Sequence, residues 1–288
     1  MNIIKSFADT GPKLYICSTP IGNLSDVSER LVTTLKAVDI VLCEDTRHTR
    51  KLLTHFDIHP PKVASYHQHN EQLRQAWMAE AWAQGQSIAL VSDAGTPLLS
   101  DPGEVAVDTA IERGIPVIPI PGPSALLAAL VGSGFPLQPF VYLGFLPRSL
   151  GAMETALQTY LPIPATLIMY EAPHRLVATL ERISQLFGEK RAVLAKELTK
   201  KHETFIHGTL PELAQYVKDE AVRGEYVILL DNRGIRASEE VDPEAVWQQA
   251  VDLVLEKMAQ GERHKTAVQA VALQLSVNRR DLYNATLS

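Results

Sequence analysis

The sequence predicts an α/β protein of two domains with a helical tail, and three observations carry that expectation. Short apolar runs alternate with helical patterns as far as Ile120. A proline-rich break then leads into a second block whose last strands crowd together, and beyond Asp231 the pattern is helical only. The chain has 288 residues, 46% of them hydrophobic, which is enough to fill two cores.

In the first block, residues 14–18 and 40–43 read as buried strands. Between them, Leu31, Val32, Leu35 and Val38 recur on one helical face. Strands over 63–66, 87–91 and 116–120 follow, with helices over about 71–84 and 103–113, so this block consists of βαβ units around a mostly parallel sheet. Pro119-Ile-Pro-Gly-Pro-Ser124 fixes φ at three of five positions and holds off helix until Ser124, after which 125–131 is apolar and helix-prone. The first domain is expected over 1–122.

The second domain is expected over 123–232, with strands over 140–145, 165–170, 192–195, 204–207 and 226–230. Its helices are fewer and its last strands close together, which predicts a mixed sheet. An acidic linker follows, then a helical segment over 241–288. There Ala267, Val268, Val271, Ala272 and Leu275 share a face, Ser276-Val-Asn278 offers a turn, and 279–287 forms a short second helix. The pattern suits a helix-turn-helix or a plain helical cap equally.

Composition excludes several classes. No apolar stretch approaches the roughly 20 residues of a membrane span, and 1–11 lacks the apolar core of a signal peptide. Cys17 and Cys43 lie in apolar runs and are expected as buried reduced thiols, which points to the cytoplasm. The net charge of −6 argues against coating nucleic acid by bulk electrostatics. Local basic clusters can still hold a phosphate backbone: Arg47, Arg50 and Lys51; Lys196, Lys200 and Lys201; and Arg263, Lys265, Arg279 and Arg280, which stand against Asp281 alone. The alternative for each cluster is a solvated helix face.

The run Ala89-Leu-Val-Ser-Asp-Ala-Gly-Thr-Pro-Leu-Leu-Ser-Asp-Pro-Gly103 empties an apolar strand into a loop rich in Gly, Pro, Asp and hydroxyls, at the strand end where open α/β sheets bind ligands. Its plainer reading is a helix start capped by Asp101 with Pro102 at the first helical position. Ser18-Thr-Pro-Ile-Gly-Asn23, with Glu44 and Asp45 further on, imitates a dinucleotide fingerprint but has one Gly where three are needed, and Pro20 removes an N–H. Thr166-Leu-Ile-Met-Tyr-Glu-Ala-Pro-His-Arg175 gathers carboxylate, imidazole and guanidinium at a strand end, or else a surface Glu171–Arg175 pair. Lys196-Glu-Leu-Thr-Lys-Lys-His-Glu203 has the same form. Functional groups at strand ends in both blocks imply a cleft between domains. His67 and His69 lack a third metal ligand at tight spacing, so no metal is expected. No P-loop, Gly-x-Ser-x-Gly elbow or Cys/His nucleophile pattern occurs.

Thr19-Pro-Ile-Gly-Asn23, Glu44-Asp-Thr-Arg47, Ser92-Asp-Ala-Gly-Thr-Pro97 with Ser100-Asp-Pro-Gly103, Pro121-Gly-Pro-Ser-Ala125, 171–175 and Lys196-Glu-Leu-Thr199 together resemble the ribosomal RNA small-subunit methyltransferase I family. The resemblance runs in order from about Leu14 to Asp231, and the tail resembles that family's helix-turn-helix. It implies two α/β domains of the tetrapyrrole-methylase (class III methyltransferase) type. It also implies S-adenosylmethionine as donor in the interdomain cleft, the 2′-hydroxyl of a cytidine in 16S ribosomal RNA of the small subunit as acceptor, and a homodimer. By the family pattern, Pro20, Asp93, Gly95, Thr96, Pro97, Gly122, Ser124 and Ala125 hold the cofactor from one side, and Tyr170 and Glu171 from the other. Asn23, Arg47, Arg50, Lys51, Lys200 and the four tail cations are the candidates for RNA.

Methyl transfer from a sulfonium is an in-line displacement, so alignment should supply most of the catalysis. A ribose hydroxyl is weakly acidic and needs a proton acceptor or a cation for the forming alkoxide. Glu44, Asp45, Glu171, His174, Lys196 and Glu197 stand as equal candidates. A tetrapyrrole methylase of the same fold is one alternative, and the basic tail argues against it. A nucleic-acid-binding regulator is the other, and the polar strand ends argue against that.

Overall fold

The computed structural model describes residues 11–220, 224–233, 243–275 and 277–287. Its first sheet holds five parallel strands in the order β3-β2-β4-β1-β5: β1 (Leu14–Cys17), β2 (Ile40–Cys43), β3 (Lys62–Ser65), β4 (Ile88–Val91) and β5 (Val117–Ile120). Four helices connect them: α1 (Glu29–Ala37), α2 (Thr46–His55), α3 (Glu71–Ala83) and α4 (Glu104–Glu112). β2 and β4 are buried at every position, as expected of strands covered on both faces. One face packs Leu14, Leu42, Leu90, Met78 and Trp82; the other packs Leu31, Leu35, Val41, Cys43 and Ile118. The free thiols Cys17 and Cys43 are buried, and desolvation pushes the Cys17 thiol up to about 12.

The second sheet has the order β6-β7-β10-β8-β9 and is mixed, with β6 (Phe140–Phe145) parallel to β7 (Thr166–Glu171) and the rest antiparallel. β8 (Arg191–Lys196), β9 (Thr204–Thr209) and β10 (Tyr226–Asp231) complete it. Among the described residues it carries four helices, as many as the first sheet: α5 (Ala125–Gly132), α6 (Leu150–Gln158), α7 (Leu176–Phe187) and α8 (Leu210–Asp219). The expectation of fewer helices is therefore corrected. α7 has a clear apolar face of Leu176, Leu180, Ile183 and Phe187, and Thr209 with Glu212 makes a capping box that starts α8. α5 lies on the opposite face, where Leu126, Ala129 and Leu130 meet Ile168, Val193 and Leu229.

The tail forms α9 (Pro243–Ala259), α10 (His264–Leu275) and α11 (Arg279–Ala285). These three helices bury a core of their own from Ala250, Val254, Ala267, Val268, Val271, Ala272 and Leu282. Asn278 caps α11, its side chain accepting from the Arg280 and Asp281 N–H groups. Position 276 of the expected turn and most of the acidic linker lie outside the described residues.

Candidate active site between the two sheets

The chain leaves β1 across β4 toward β2 and leaves β4 across β1 toward β5. These neighbouring strands therefore send their connections to opposite faces of the sheet, α1 with Leu31 and Leu35 on one and α4 with Ala106 and Ala110 on the other. That is the topological switch point of the sheet. The loops after the two strands are knitted together: the Thr19 N–H donates to the Gly95 carbonyl at 2.8 Å and the Gly95 N–H to the Thr19 carbonyl at 3.0 Å. Hydroxyls add to this, Thr19 donating to the Ser92 carbonyl and Ser92 to the Gly95 carbonyl. Gly95 has φ +83°, and a Cβ there would lie 3.3 Å from Ile21 Cγ2.

The loop after β5 joins the same assembly. Thr96 Oγ1 donates to the Pro123 carbonyl at 3.2 Å and lies 2.9 Å from Ser18 Oγ. A Cβ on Gly122 would press within 3.2 Å of the Ser18 carbonyl oxygen, so this Gly allows β5 to leave closely past β1.

A cavity of 410 Å³ opens between these loops and the ends of β7 and β10, within the size range of small-molecule sites. Asp93, Gly95, Thr96, Ser124 and Ala125 line it from the first side, and Tyr170 and Glu171 from the second. Two hydrogen bonds fix its walls: the Leu126 N–H donates to Tyr170 Oη at 3.0 Å, and Ser100 Oγ lies 2.7 Å from Tyr142 Oη. The rings of Tyr142 and Tyr170 meet edge to face at 5.1 Å. Burial raises the Tyr170 phenol, which keeps it neutral.

The Ser124 hydroxyl is buried, lines this cavity and has no hydrogen-bond partner in the protein. Such a group calls for a ligand atom. Polar and carboxylate lining from Asp93, Thr96, Asp101 and Glu171, together with apolar lining from Ala125, Leu198 and Val227, suits a cationic ligand with an apolar portion.

Pro97 is buried and Gly122 packs on Ser18, and neither lines the cavity. Pro20 lines the neighbouring cavity instead. Asp101 does not cap α4, whose N-cap is Gly103. Left-handed turns at Leu98 and Ser100 carry the chain past the expected cap and turn Asp101 into the cavity wall. Desolvation, with Glu44 and Asp93 nearby, pushes the Asp101 carboxyl up to about 6.

Among the proton-acceptor candidates, Asp45 is the N-cap of α2, accepts the Arg47 N–H at 2.8 Å and forms a bidentate ion pair with the Arg47 guanidinium, which holds its carboxyl well below the usual range. Glu171 is 2% exposed, accepting the Ala172 N–H at 2.8 Å and the Thr179 hydroxyl at 2.6 Å, with Arg175 Nε at 3.5 Å. The surface pair is thus a buried network. Glu197 holds Lys200 at 3.0 Å and the Glu225 N–H at 3.1 Å; against desolvation, these contacts lower its carboxyl. Lys196 Nζ lies 5.8 Å from the centre of the Tyr226 ring, and Glu44 and His174 are exposed; none of these three lines either cavity.

Of the RNA candidates, Arg50 and Lys51 are exposed on α2, and Arg263, Lys265, Arg279 and Arg280 are exposed on the tail. Asn23 caps a short turn over Leu24–Asp26, and Lys200 is engaged by Glu197 and Glu225. Sequence reasoning passed over Ile21, Leu99, Ser100, Phe145, Leu198 and Glu225 as lining residues. The hydroxyl and carboxylate of Ser100-Asp101 in a proline-bounded loop were the available signal.

The family model of Tetrapyrrole (Corrin/Porphyrin) Methylases matches residues 13–214. The chain resembles the methyltransferase CobJ, with a TM-score of 0.59 at 17% identity over 79% of this chain and 97% of that one. It also resembles uroporphyrin-III C-methyl transferase from Thermus thermophilus complexed with S-adenyl homocysteine, with a TM-score of 0.53 at 21% identity over 76% and 98%. Likeness at these identities establishes the fold. Proteins named ribosomal RNA small subunit methyltransferase I match much more closely. The Halalkalibacterium halodurans protein is 43% identical, covering 94% of this chain and 93% of its own, and the Bacillus subtilis protein is 39% identical, covering 94% and 93%. By sequence along nearly its whole length and by fold in both sheets, the chain belongs to the ribosomal RNA small subunit methyltransferase I family, within the tetrapyrrole methylases.

Proposed function

We propose that this protein transfers a methyl group from S-adenosylmethionine to the 2′-hydroxyl of a cytidine in 16S ribosomal RNA of the small subunit, acting in the cytoplasm as a homodimer. The observation that carries the reading is the cavity at the switch point, with its unpartnered Ser124 hydroxyl, in a chain whose relatives at about 40% identity bear an rRNA methyltransferase name.

The bound donor supplies an electrophilic methyl on a cationic sulfur. The chain's part is to hold and orient. Ser124 and the Thr96 region bind polar donor atoms, Ala125 and Leu198 cover apolar ones, and Asp93 and Asp101 complement the positive charge. Glu171, with its oxygens taken by Ala172 and Thr179, keeps the β7 wall in place. Asp93 Oδ1 accepts a backbone N–H, leaving Oδ2 to receive a hydrogen bond from the attacking hydroxyl. Alignment at near-attack distance then supplies most of the rate.

A tetrapyrrole acceptor is favoured by fold alone, at 21% identity or less among the two methylases above, against 43% for an rRNA methyltransferase. Mass mapping of ribose methylation in 16S ribosomal RNA from cells lacking this gene tests the proposal. A 2′-O-methylcytidine should vanish and return on complementation; an unchanged map refutes the reading.

A further inference from the structure

A second cavity, of 340 Å³, lies against the first and shares Ile21, Asp93, Ala94 and Glu225 with it. The loop after β1 builds one wall with Pro20, Ile21 and Leu24, and α2 builds another with His48, Thr49, Lys51 and Leu52. Pro20, Ile21, Leu24 and Leu52 offer apolar surface for a planar ring, and the buried Thr49 hydroxyl lies against the Cys43 thiol.

The helix beside this cavity is unusual in charge. Thr46–His55 contains Arg47, His48, Arg50, Lys51 and His55 and no carboxylate, in a chain of net charge −6. Arg47, His48, Arg50 and Lys51 are all exposed. Exposed cations along one helix at the mouth of a half-apolar cavity match a polyanion carrying a planar ring, with phosphates outside and the ring within.

We propose that this second cavity receives the acceptor nucleoside, unstacked from its RNA, with the flanking phosphates on α2 and the ribose hydroxyl at the wall shared with the first cavity. The assignment rests on the methyltransferase reading above and adds where the acceptor binds. Enzymes that act on a nucleotide inside folded nucleic acid commonly take it out of the stack into a fitted pocket. Here the shared wall brings such a nucleoside next to the donor, with Asp93 facing both ligands.

The test uses the full-length protein, small subunits from cells lacking the methylation, and two variants, Leu24→Trp to fill the cavity from its exposed rim and Lys51→Glu to reverse charge on α2. Calorimetry measures S-adenosylmethionine affinity, and filter binding in the presence of S-adenosylhomocysteine measures affinity for the subunit. Both variants should bind the subunit at least about tenfold more weakly, a loss of 1.4 kcal/mol, while their S-adenosylmethionine affinity stays within about twofold of wild type. A thermal melt confirms that each variant is folded, and Arg50→Glu, exposed on the same helix, serves as the second charge reversal if either is not. Unchanged subunit binding overturns the assignment. So does a loss of cofactor affinity, which would give the second cavity to the donor. A wild-type protein that binds no S-adenosylmethionine instead refutes the proposed function itself.

Discussion

Asp93 Oδ1 accepts the backbone N–H of Asp45 at 3.1 Å, tying the loop after β4 to the first turn of α2. One carboxylate thus lines both cavities and also fixes the start of the basic helix. Asp93→Ala should weaken S-adenosylmethionine binding by about 1.5–3 kcal/mol and lower the melting temperature, because it strands an N–H as well as removing a charge. Asp93→Asn keeps an acceptor for that N–H. Its stability should stay near wild type while kcat falls, and equal stability losses in both variants would count against this division of roles.

Arg47 is exposed and bound to the Asp45 carboxylate at 2.7 Å. Exposed ion pairs contribute little to stability, so Arg47→Ala should leave the melting temperature within a few degrees. If α2 holds RNA, the same change should raise KM for the small subunit. A variant that melts early and methylates normally would make Arg47 structural.

The Leu126 N–H, at the start of α5, has the Tyr170 phenol as its acceptor, a contact between the helix after the proline-rich break and the far wall of the cavity. Tyr170→Phe removes that acceptor and should cost about 1–3 kcal/mol of stability or of cofactor affinity. Calorimetry and melting together would show which, and no change in either would mean that water replaces the phenol without loss.

The strands were legible in the sequence because buried parallel strands read as continuous apolar runs, as 40–43 and 88–91 do. α2 was not. Its sequence is almost wholly polar and cationic, with Thr49 and Leu53 its buried residues, so no apolar period announces it, and its start depends on a cap by Asp45. The same blindness affected Asp101. Serine, aspartate and proline before a helix pattern read as a cap, whereas the left-handed backbone at Leu98 and Ser100 that turns Asp101 inward has no one-residue signature. Glu225 escaped notice because it reaches the site through the pairing of β10 with β7 and β8, which joins segments far apart in the chain.

Asp101 offers a pH test. Desolvation first, then the charges of Glu44 and Asp93, raise its carboxyl from the usual range to about 6, so the folded chain holds this proton more tightly than the unfolded chain does. Its contribution therefore turns unfavourable as pH rises from about 4 to 6 and stays so above. Asp101→Asn should raise the melting temperature of the ligand-free protein at pH 8 by about 2–4 °C, with the gain shrinking toward zero at pH 4. The same variant should bind S-adenosylmethionine more weakly at pH 8, having lost a charge that faces a cation. A pH-independent difference in melting would leave Asp101 outside the linkage.

The tail helices α9 to α11 bury Ala250, Val254, Ala267, Val268, Val271, Ala272 and Leu282 among themselves, in a core distinct from those of the two sheets. Removing them should therefore expose little of either sheet's core. Arg263, Lys265, Arg279 and Arg280 all face solvent on this segment, while His264 is turned inward to the Thr286 hydroxyl at 2.7 Å. Truncation after Asn232 should leave S-adenosylmethionine affinity within about twofold of the full chain but weaken small-subunit binding. Because neutralising phosphates releases counterions, the full chain's subunit affinity should fall steeply with salt, and the slope of log affinity against log salt should flatten by about 0.7–0.9 for each phosphate that the tail neutralises. Charge reversal at Arg279 and Arg280 together should reproduce part of that flattening without truncation. If the truncated chain binds and methylates subunits as the full chain does, with the same salt slope, these helices are a structural cap and the grip on RNA falls to Arg47, Arg50 and Lys51 on α2.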